Sequence, residues 1–281
     1  MFMWLLAAIV TTFCFGINNS LFKWSTMKGM SKVNLQFYFY LLAFILTFIF
    51  GFFIMDNLHM NLLSLSLGAL IGILNANGNI QMSKAYEKGP ASITAPLIAS
   101  NAVIPVLFAG ILFHEQISGL QWSGIICMFI AAAVIQYSPS SKRETEYLPW
   151  LYRIILAIAS FGLLGLLMKT SSYLHIDSIT LLVSMYGGGT CYLAIFLLLR
   201  KEKATANEKL VGACIGLISI IGYSSYFFAL KSGIASIIFP VVGLNCLIVV
   251  LVGCYFFKER LRIYQIAGIF AAVFGLVLTK I

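Results

Sequence analysis

Apolar residues occur along this chain in long runs, and short polar stretches separate one run from the next. About 20 consecutive apolar residues are needed to cross the hydrocarbon core of a bilayer as a helix. No run shows the strict alternation of a membrane β-barrel strand, so the pattern predicts an all-α membrane protein. It predicts ten transmembrane helices, at about residues 2–22, 35–54, 65–83, 91–113, 120–136, 148–168, 178–199, 210–230, 235–257 and 263–280.

One segment of the chain occurs twice. Residues 89–125 match residues 233–269 without a gap at an offset of 144, and fourteen of the 37 pairs are identical. Apolar identities could arise from composition alone, but identical polar residues, prolines and glycines at one offset are harder to obtain that way. Such pairs are Gly89/Gly233, Pro96/Pro240, Asn101/Asn245, Glu115/Glu259 and Gln121/Gln265. The match indicates an internal duplication, which determines the fold.

The duplication divides the chain into three parts. We predict an N-terminal five-helix repeat over residues 1–136, a polar linker over 137–147 and a C-terminal five-helix repeat over 148–281. Because five is odd, the second repeat enters the membrane from the opposite face, which gives the inverted repeat common among transporters. The predicted fold is therefore ten transmembrane helices arranged as two inverted five-helix repeats around a central cavity.

Charge placement agrees with a membrane protein. The chain is 61% hydrophobic and 10% charged, whereas soluble domains carry about 25% charged residues. Its formal net charge is +9, but 15 of the 18 lysines and arginines lie in or beside the loops after helices 1, 3, 5, 7 and 9. This placement is a membrane orientation signal and argues against a nucleic-acid partner. We expect a plasma-membrane protein whose lysine-rich face is cytoplasmic and whose termini are not.

Residues typical of catalysis or metal binding are scattered. The six cysteines lie in apolar runs without CxxC spacing, and the three histidines are dispersed, so we expect no disulfide framework, no metal and no cofactor. No nucleophile, base and orienting group recur at a usable spacing, so we do not expect an enzyme. Glu115 and Glu259 close helices 4 and 9, where we expect each to cap or pair with the next helix.

Polar stripes on helices 3 and 8 are the first candidate site. Asn75 and Asn79 are four residues apart and share one helical face. Their repeat mates are Ser219 and Tyr223, and Tyr226 continues that second stripe. Polar residues inside spans are costly and mark transport pathways, so the two stripes are expected to face each other across a central cavity. The alternative is that these groups only bond neighbouring helices.

Helix-weakening residues are candidate hinges. Pro96 and Pro240 each remove a backbone hydrogen bond near the start of helices 4 and 9, which gives either a hinge or a static packing kink. Tyr186 precedes a run of three glycines that starts at Gly187 in helix 7. Each glycine costs a helix about 1 kcal/mol relative to alanine, so this run is either a hinge or a surface for close helix contact. The candidate hinges are Pro96, Pro240 and Gly187.

Amide side chains in helices 1, 4 and 9 are further candidates. Asn18 and Asn19 either offer carbonyl oxygens to a substrate ammonium or tie helix 1 to a neighbour. The repeat mates Asn101 and Asn245 either contact substrate or bond neighbouring helices near the pseudo-two-fold axis. The candidate substrate-binding residues are Asn18, Asn19, Asn75, Asn79, Asn101, Tyr186, Ser219, Tyr223, Tyr226 and Asn245.

A family resemblance rests on the repeated segment. KGPASITAP (88–96), FHE (113–115) and QWSG (121–124) have their echo in SGIAS (232–236), FKE (257–259) and QIAG (265–268). With two five-helix halves, the chain resembles the ten-helix EamA-type transporters of the drug/metabolite transporter superfamily. The resemblance covers nearly the whole chain. It implies export of amino acids or other metabolites, and some relatives move choline, sugars or nucleotide-sugars.

One departure from the superfamily bears on mechanism. The four-helix multidrug relatives carry a glutamate in the middle of helix 1, whereas the nearest polar residues here are Asn18 and Asn19. We therefore expect a secondary transporter or facilitator that moves a small polar metabolite, an amino acid or related amine, by alternating access without a mid-membrane carboxylate. The alternatives are a flippase for a lipid or lipid-linked head group and a choline-like quaternary-amine transporter. The expected partners are a small-molecule solute and the lipid bilayer, with the chain as a monomer or else a dimer.

Overall fold

A computed structural model describes residues 3–54, 61–88, 91–137, 147–200, 204–256 and 262–279, without the side chains of residues 54, 91–93, 96 and 200. These residues form helices and contain no strand. The α-helices are α1 (Met3–Met27), α2 (Lys32–Ile49), α3 (Leu62–Lys88), α4 (Ala91–Ala99), α5 (Val103–Leu112), α6 (Gly119–Gln136), α7 (Tyr147–Tyr173), α8 (Ser178–Arg200), α9 (Ala206–Ser232), α10 (Ala235–Gly243), α11 (Asn245–Phe256) and α12 (Ile263–Leu278). A π-helical turn, Phe50–Ile54, continues α2, and a 3-10 turn, Ser100–Ala102, joins α4 to α5.

Eight helical segments of the described chain are long and apolar enough to cross a membrane. They are Met3–Met27, Lys32–Phe53, Leu62–Lys88, Gly119–Gln136, Tyr147–Tyr173, Ser178–Leu199, Ala206–Ser232 and Ala235–Phe256, and two shorter apolar helices are Leu97–Leu112 and Ile263–Leu278. The chain is therefore an all-helical, multi-pass membrane protein. The count of ten spans, their inverted arrangement and the domain boundaries stay predictions, and most of the predicted linker lies outside the described residues.

The helices predicted over 91–113 and 235–257 are each interrupted within the described residues. The first is interrupted by the 3-10 turn, because Pro105 has no N–H to bond the carbonyl four residues earlier. The second breaks at Leu244, whose N–H donates to the carbonyls of Pro240 and Val241. At both breaks an asparagine donates to the backbone carbonyl three residues back. Asn101 Nδ2 lies 2.6 Å from Ile98 O, and Asn245 Nδ2 lies 2.9 Å from Val242 O.

Helices from the first half of the chain pack mainly on helices from the second half. α3 packs against α7 and α8, α1 against α9 and α11, and α6 against α12. Close approach depends on small residues, as expected where lipid supplies no hydrophobic force between helices. At the α6–α12 contact a Cβ on Gly124 would lie 2.6 Å from the Gly275 carbonyl oxygen, and a Cβ on Gly275 would lie 2.8 Å from that of Gly124.

Candidate functional site

A cavity of about 270 Å³ lies where the two broken helices meet α1, α3, α6, α7 and α9. Nine of the ten candidate substrate-binding residues line it: Asn18, Asn19, Asn75, Asn79, Asn101, Ser219, Tyr223, Tyr226 and Asn245. Pro240 lines it as well, while the side chain of Pro96 lies outside the described part of the chain. Most of the polar side chains that line this cavity could therefore be predicted from the sequence, whereas the solute that it holds could not.

Tyr186 and Gly187 do not reach this cavity. Tyr186 is fully buried against the rings of Tyr40 and Tyr223, with centroids 5.9 and 6.2 Å away. A Cβ on Gly187 would lie 3.0 Å from the Phe44 ring, and Gly187 lines a separate apolar groove of about 600 Å³ between α2, α3 and α8. Tyr186 therefore packs behind the cavity wall, and Gly187 allows a close helix contact.

The polar stripes of α3 and α9 meet directly. Asn75 Nδ2 donates to the Tyr223 hydroxyl oxygen at 2.6 Å. One turn further on, Asn79 Nδ2 donates to the Asn75 backbone carbonyl at 3.0 Å and lies 3.3 Å from its Oδ1. These bonds hold the two amides and the phenol in one row along the cavity wall.

The amides of α1 join this row to the break between α10 and α11. Asn18 Nδ2 donates to the Ser219 hydroxyl oxygen at 2.8 Å, and Asn19 Nδ2 donates to Asn245 Oδ1 at 3.0 Å. Asn18 is 5% exposed, and its Oδ1 is buried with no hydrogen-bond partner. Asn18 therefore lines the cavity, while its carboxamide oxygen is enclosed by the protein.

Aromatic rings form the apolar part of the lining, and sequence reasoning did not single out two of them. The Phe15 ring lies 4.8 Å from Tyr223 and 5.8 Å from Tyr226, and Tyr226 lies 6.1 Å from Phe239. Such rings carry a negative face that attracts cations. Phe15 and Phe239 do not stand out in a chain with 23 phenylalanines, and only their position beside the tyrosines marks them.

Among the described residues, the lining contains no lysine, arginine, histidine, aspartate or glutamate. A charged network on α3 uses residues other than the lining ones. Arg153 Nη1 donates to Gln81 Oε1 at 2.7 Å, and Gln81 Nε2 donates to Asn77 Oδ1 at 3.0 Å. Asn77 in turn donates to Ser160 Oγ at 2.9 Å. The amides of α3 thus serve two purposes, since Asn75 and Asn79 line the cavity while Asn77 and Gln81 bond α7.

A charged contact joins the ends of several helices away from the cavity; we call Glu115, Lys169, Ala235 and Ser236 the Glu115 junction. The Glu115 carboxylate accepts the N–H groups of Ala235 and Ser236 at 2.9 and 3.0 Å and the Ser236 hydroxyl at 2.7 Å. Lys169 Nζ lies 3.0 Å from Glu115 Oε1. Glu115 therefore caps the N-terminus of α10, where the unpaired N–H groups favour a negative charge. Glu259, its repeat mate, lies outside the described residues.

The junction keeps Glu115 charged. Burial raises the pKa of this carboxyl, but the hydrogen bonds from Ser236 and Ala235 and the nearby charge of Lys169 outweigh burial, so its pKa lies below the usual value. Lys169 also donates to the Leu230 carbonyl at 3.4 Å. One ion pair thus connects the end of α5, the last turns of α7 and α9 and the start of α10.

The protein family follows from comparison with known proteins. A model of the EamA-like transporter family matches residues 2–137 and again residues 148–281. The chain belongs to the EamA-like transporter family. This confirms the family resemblance, and membership in the EamA-like family makes the protein a membrane transporter of small solutes.

The individual proteins that this chain resembles name no solute. An uncharacterized protein of Haemophilus influenzae is 23% identical over 208 residues, which are 71% of this chain and 69% of the relative. A solved structure titled "Crystal structure of protein" superposes with a TM-score of 0.78 at 11% identity and covers 99% of this chain and 95% of its own. At that identity the likeness shows the shared fold alone.

Proposed function

We propose that the protein is a secondary transporter or facilitator that moves a small polar metabolite, an amino acid or related amine, across the plasma membrane by alternating access. The observation that carries this proposal is the polar cavity at two helix breaks, where Asn101 and Asn245 make the same local bond 144 residues apart. Discontinuous helices at corresponding positions of two repeats are typical of transporter binding sites. The ten-helix inverted repeat is part of the proposal.

The positions of the lining residues suggest which face the cavity serves. Phe22, Tyr86 and Gln136 line it and lie within the last two turns of α1, α3 and α6. In the proposed topology those helix ends lie at the lysine-rich, cytoplasmic face. The Glu115 junction connects helix ends that the same topology puts at the opposite face. The described conformation is then closed by the Glu115 junction, which has to separate before the cavity reaches the other side.

The neutral lining supports transport without proton exchange through a buried carboxylate. No acidic side chain lies among the lining residues that the structure describes, and the amides and phenols there do not titrate near neutral pH. A solute that carries its own charge or several hydrogen-bonding groups fits such a surface. The aromatic rings around Phe15 also favour the second candidate, a quaternary-amine transporter, because they attract a cation without hydrogen bonds.

Two alanine variants of α3 test the site. Asn79→Ala removes a lining amide, whereas Asn77→Ala removes an amide of the same helix that bonds α7 and lies off the cavity. A thermal-shift screen against amino acids, amines, sugars and nucleosides identifies a solute, because a ligand of the folded state raises the melting temperature. We expect Asn79→Ala to weaken binding of that solute with little loss of stability, and Asn77→Ala to lower the melting temperature but keep the affinity. The reverse pattern would contradict the proposed site.

A further inference from the structure

We propose that the apolar groove between α2, α3 and α8 is a binding site for an anionic phospholipid of the membrane. One acyl chain fills the groove, and the head group lies at the lysine-rich end of the groove, beside Lys84. No described residue lines both the groove and the solute cavity, so the groove is a second site. The inference goes beyond the proposed transport function and does not depend on it.

The groove lies at the depth of the lipid chains. Its described lining residues all belong to three of the membrane-spanning segments, Lys32–Phe53, Leu62–Lys88 and Ser178–Leu199. Along α8 the lining runs from Val183 to Ile195, which is about 18 Å at about 1.5 Å per residue. The hydrocarbon core of a bilayer is about 30 Å thick, so one leaflet is about 15 Å deep. The length of the groove therefore matches an acyl chain that runs along the membrane normal.

Two glycines of α8 give the groove its shape. Both α2 and α3 pack against α8 but make few contacts with each other, and the groove lies between them. A Cβ on Gly188 would lie 2.4 Å from the Ala69 Cα, and a Cβ on Gly187 would lie 3.0 Å from the Phe44 ring. No side chain rises from α8 at these two positions. An apolar gap of this kind loses dispersion contacts along its lining when it is empty, so a narrow apolar molecule stabilises it.

The hydroxyl groups of the described lining are paired within the protein. Ser184 Oγ donates to the Thr180 carbonyl at 2.8 Å, and the Tyr192 hydroxyl donates to Asn77 Oδ1 at 3.3 Å. Apart from the Cys191 thiol, the other described lining residues are glycines or carry hydrocarbon side chains. A polar ligand would lose its own hydrogen bonds on such a surface. An acyl chain has none to lose, so the lining favours hydrocarbon.

A positive charge marks the end of the groove where the head group lies. Lys84 Nζ lies 5.7 Å from the centre of the Phe196 ring. Phe196 directly follows Ile195, the lining residue nearest the C-terminal end of α8, and that end belongs to the lysine-rich face. Basic residues at a membrane surface attract anionic head groups. The charge of Lys84 therefore favours an anionic phospholipid over a zwitterionic one with the same chains.

The experiment is native mass spectrometry of the purified full-length protein in detergent. The protein is titrated with palmitoyl-oleoyl phosphatidylglycerol, with dihexanoyl phosphatidylglycerol, which has the same head group on short chains, and with palmitoyl-oleoyl phosphatidylcholine, which has the same chains without a net charge. We expect one long-chain phosphatidylglycerol to be retained per protein, with a Kd below that of either other lipid. Equal binding of the short-chain lipid, retention of no lipid, or a dimer without lipid would overturn the inference. None of these results bears on solute transport.

Substitutions of two exposed cysteines test whether the chain lies in the groove. Cys191 lines the groove, whereas Cys214 is equally classed as exposed but lines neither the groove nor the cavity. Cys191→Phe puts a ring where the chain is expected, so the Kd for long-chain phosphatidylglycerol should rise about tenfold or more. Cys214→Phe should leave that Kd unchanged. An unchanged Kd in Cys191→Phe, or an equal rise in Cys214→Phe, would overturn the assignment.

Substitutions of two lysines test the position of the head group. Lys84→Gln removes the charge beside the groove, and it should weaken the binding of phosphatidylglycerol about fivefold and erase the preference over phosphatidylcholine. Lys209 is the matched control, because its Nζ also lies 5.7 Å from a ring centre, that of Tyr38, but it does not adjoin the groove. A preference for phosphatidylglycerol that survives Lys84→Gln, or is lost in Lys209→Gln, would overturn the placement of the head group.

Discussion

The Glu115 junction leads to a quantitative prediction for Glu115→Gln. The carboxylate accepts three hydrogen bonds of 2.7 to 3.0 Å and pairs with Lys169, and both side chains are only 12 to 13% exposed. Glutamine removes the charge and turns one acceptor into a donor that faces an N–H. Hydrogen bonds to charged groups contribute about 1.5–3 kcal/mol each. We therefore expect Glu115→Gln to destabilise the closed state by about 2 kcal/mol relative to the open state. At about 1.4 kcal/mol per tenfold, the equilibrium between the two states shifts roughly 30-fold toward the open state.

Cysteine labelling from the side that the junction closes measures this shift. Gly243 lines the cavity, and a Cβ placed there meets no atom within 4 Å, so Gly243→Cys fits without strain in a background without the native cysteines. A membrane-impermeant thiol reagent is applied from the side opposite the lysine-rich face. We expect it to label the Gly243→Cys protein slowly. Adding Glu115→Gln should raise that labelling rate by about 30-fold.

The control for this prediction is a second buried carboxylate. Glu208 accepts hydrogen bonds from Ser31 and Thr205 at 2.7 and 2.8 Å, at the start of α9 rather than at the junction. Glu208→Gln should leave the labelling rate unchanged. An unchanged rate in folded Glu115→Gln protein, or an equal increase in Glu208→Gln, would refute the view that this junction closes the cavity.

Three further predictions concern pH and topology. Because the pKa of Glu115 is depressed, its stabilisation is present above the unfolded value of about 4.3 and is lost as pH falls through the folded value. The labelling rate at position 243, divided at each pH by that of an exposed reference thiol because only the thiolate reacts, should therefore rise only in acid; a rise already at pH 6 would contradict this. Solute affinity should vary little between about pH 6 and 8, since none of the described lining residues titrates there. A steep change in affinity measured by calorimetry would contradict this. In intact cells an impermeant thiol reagent should label a cysteine at position 175 and not one at position 140, and the opposite result would reverse the proposed orientation.

The polar part of the site could be predicted because polar residues are rare and costly inside apolar helices. Asn75 and Asn79 follow helical spacing, and the offset of 144 leads from them to Ser219 and Tyr223. The structure brings Asn75 and Tyr223 within hydrogen-bond distance. Phe15 gave no comparable signal, since an aromatic residue suits lipid, core and cavity equally well.

Other features depended on packing that spacing does not encode. Pro96 and Pro240 predicted weak points near the start of the helices over 91–113 and 235–257. The structure places the breaks further along, beside Asn101 and Asn245. The side chains of these two asparagines donate to backbone carbonyls at the breaks. Glu115 was expected to cap or pair with the next helix along the chain. It instead caps α10, which lies in the other half of the chain. Tyr186 carries a polar tip in mid-span, yet neighbouring rings enclose it.

Blocking the cavity tests most directly whether it is the solute pathway. Gly243→Cys puts a thiol in the lining, and Gly110→Cys is the matched control, because a Cβ there also meets no atom within 4 Å but Gly110 does not line the cavity. Uptake into proteoliposomes of the solute found in the screen is measured before and after complete modification with a thiol reagent. We predict that modification at position 243 abolishes uptake, that the solute slows this modification, and that modification at position 110 leaves uptake intact. Undiminished uptake after full modification at position 243 would contradict the account.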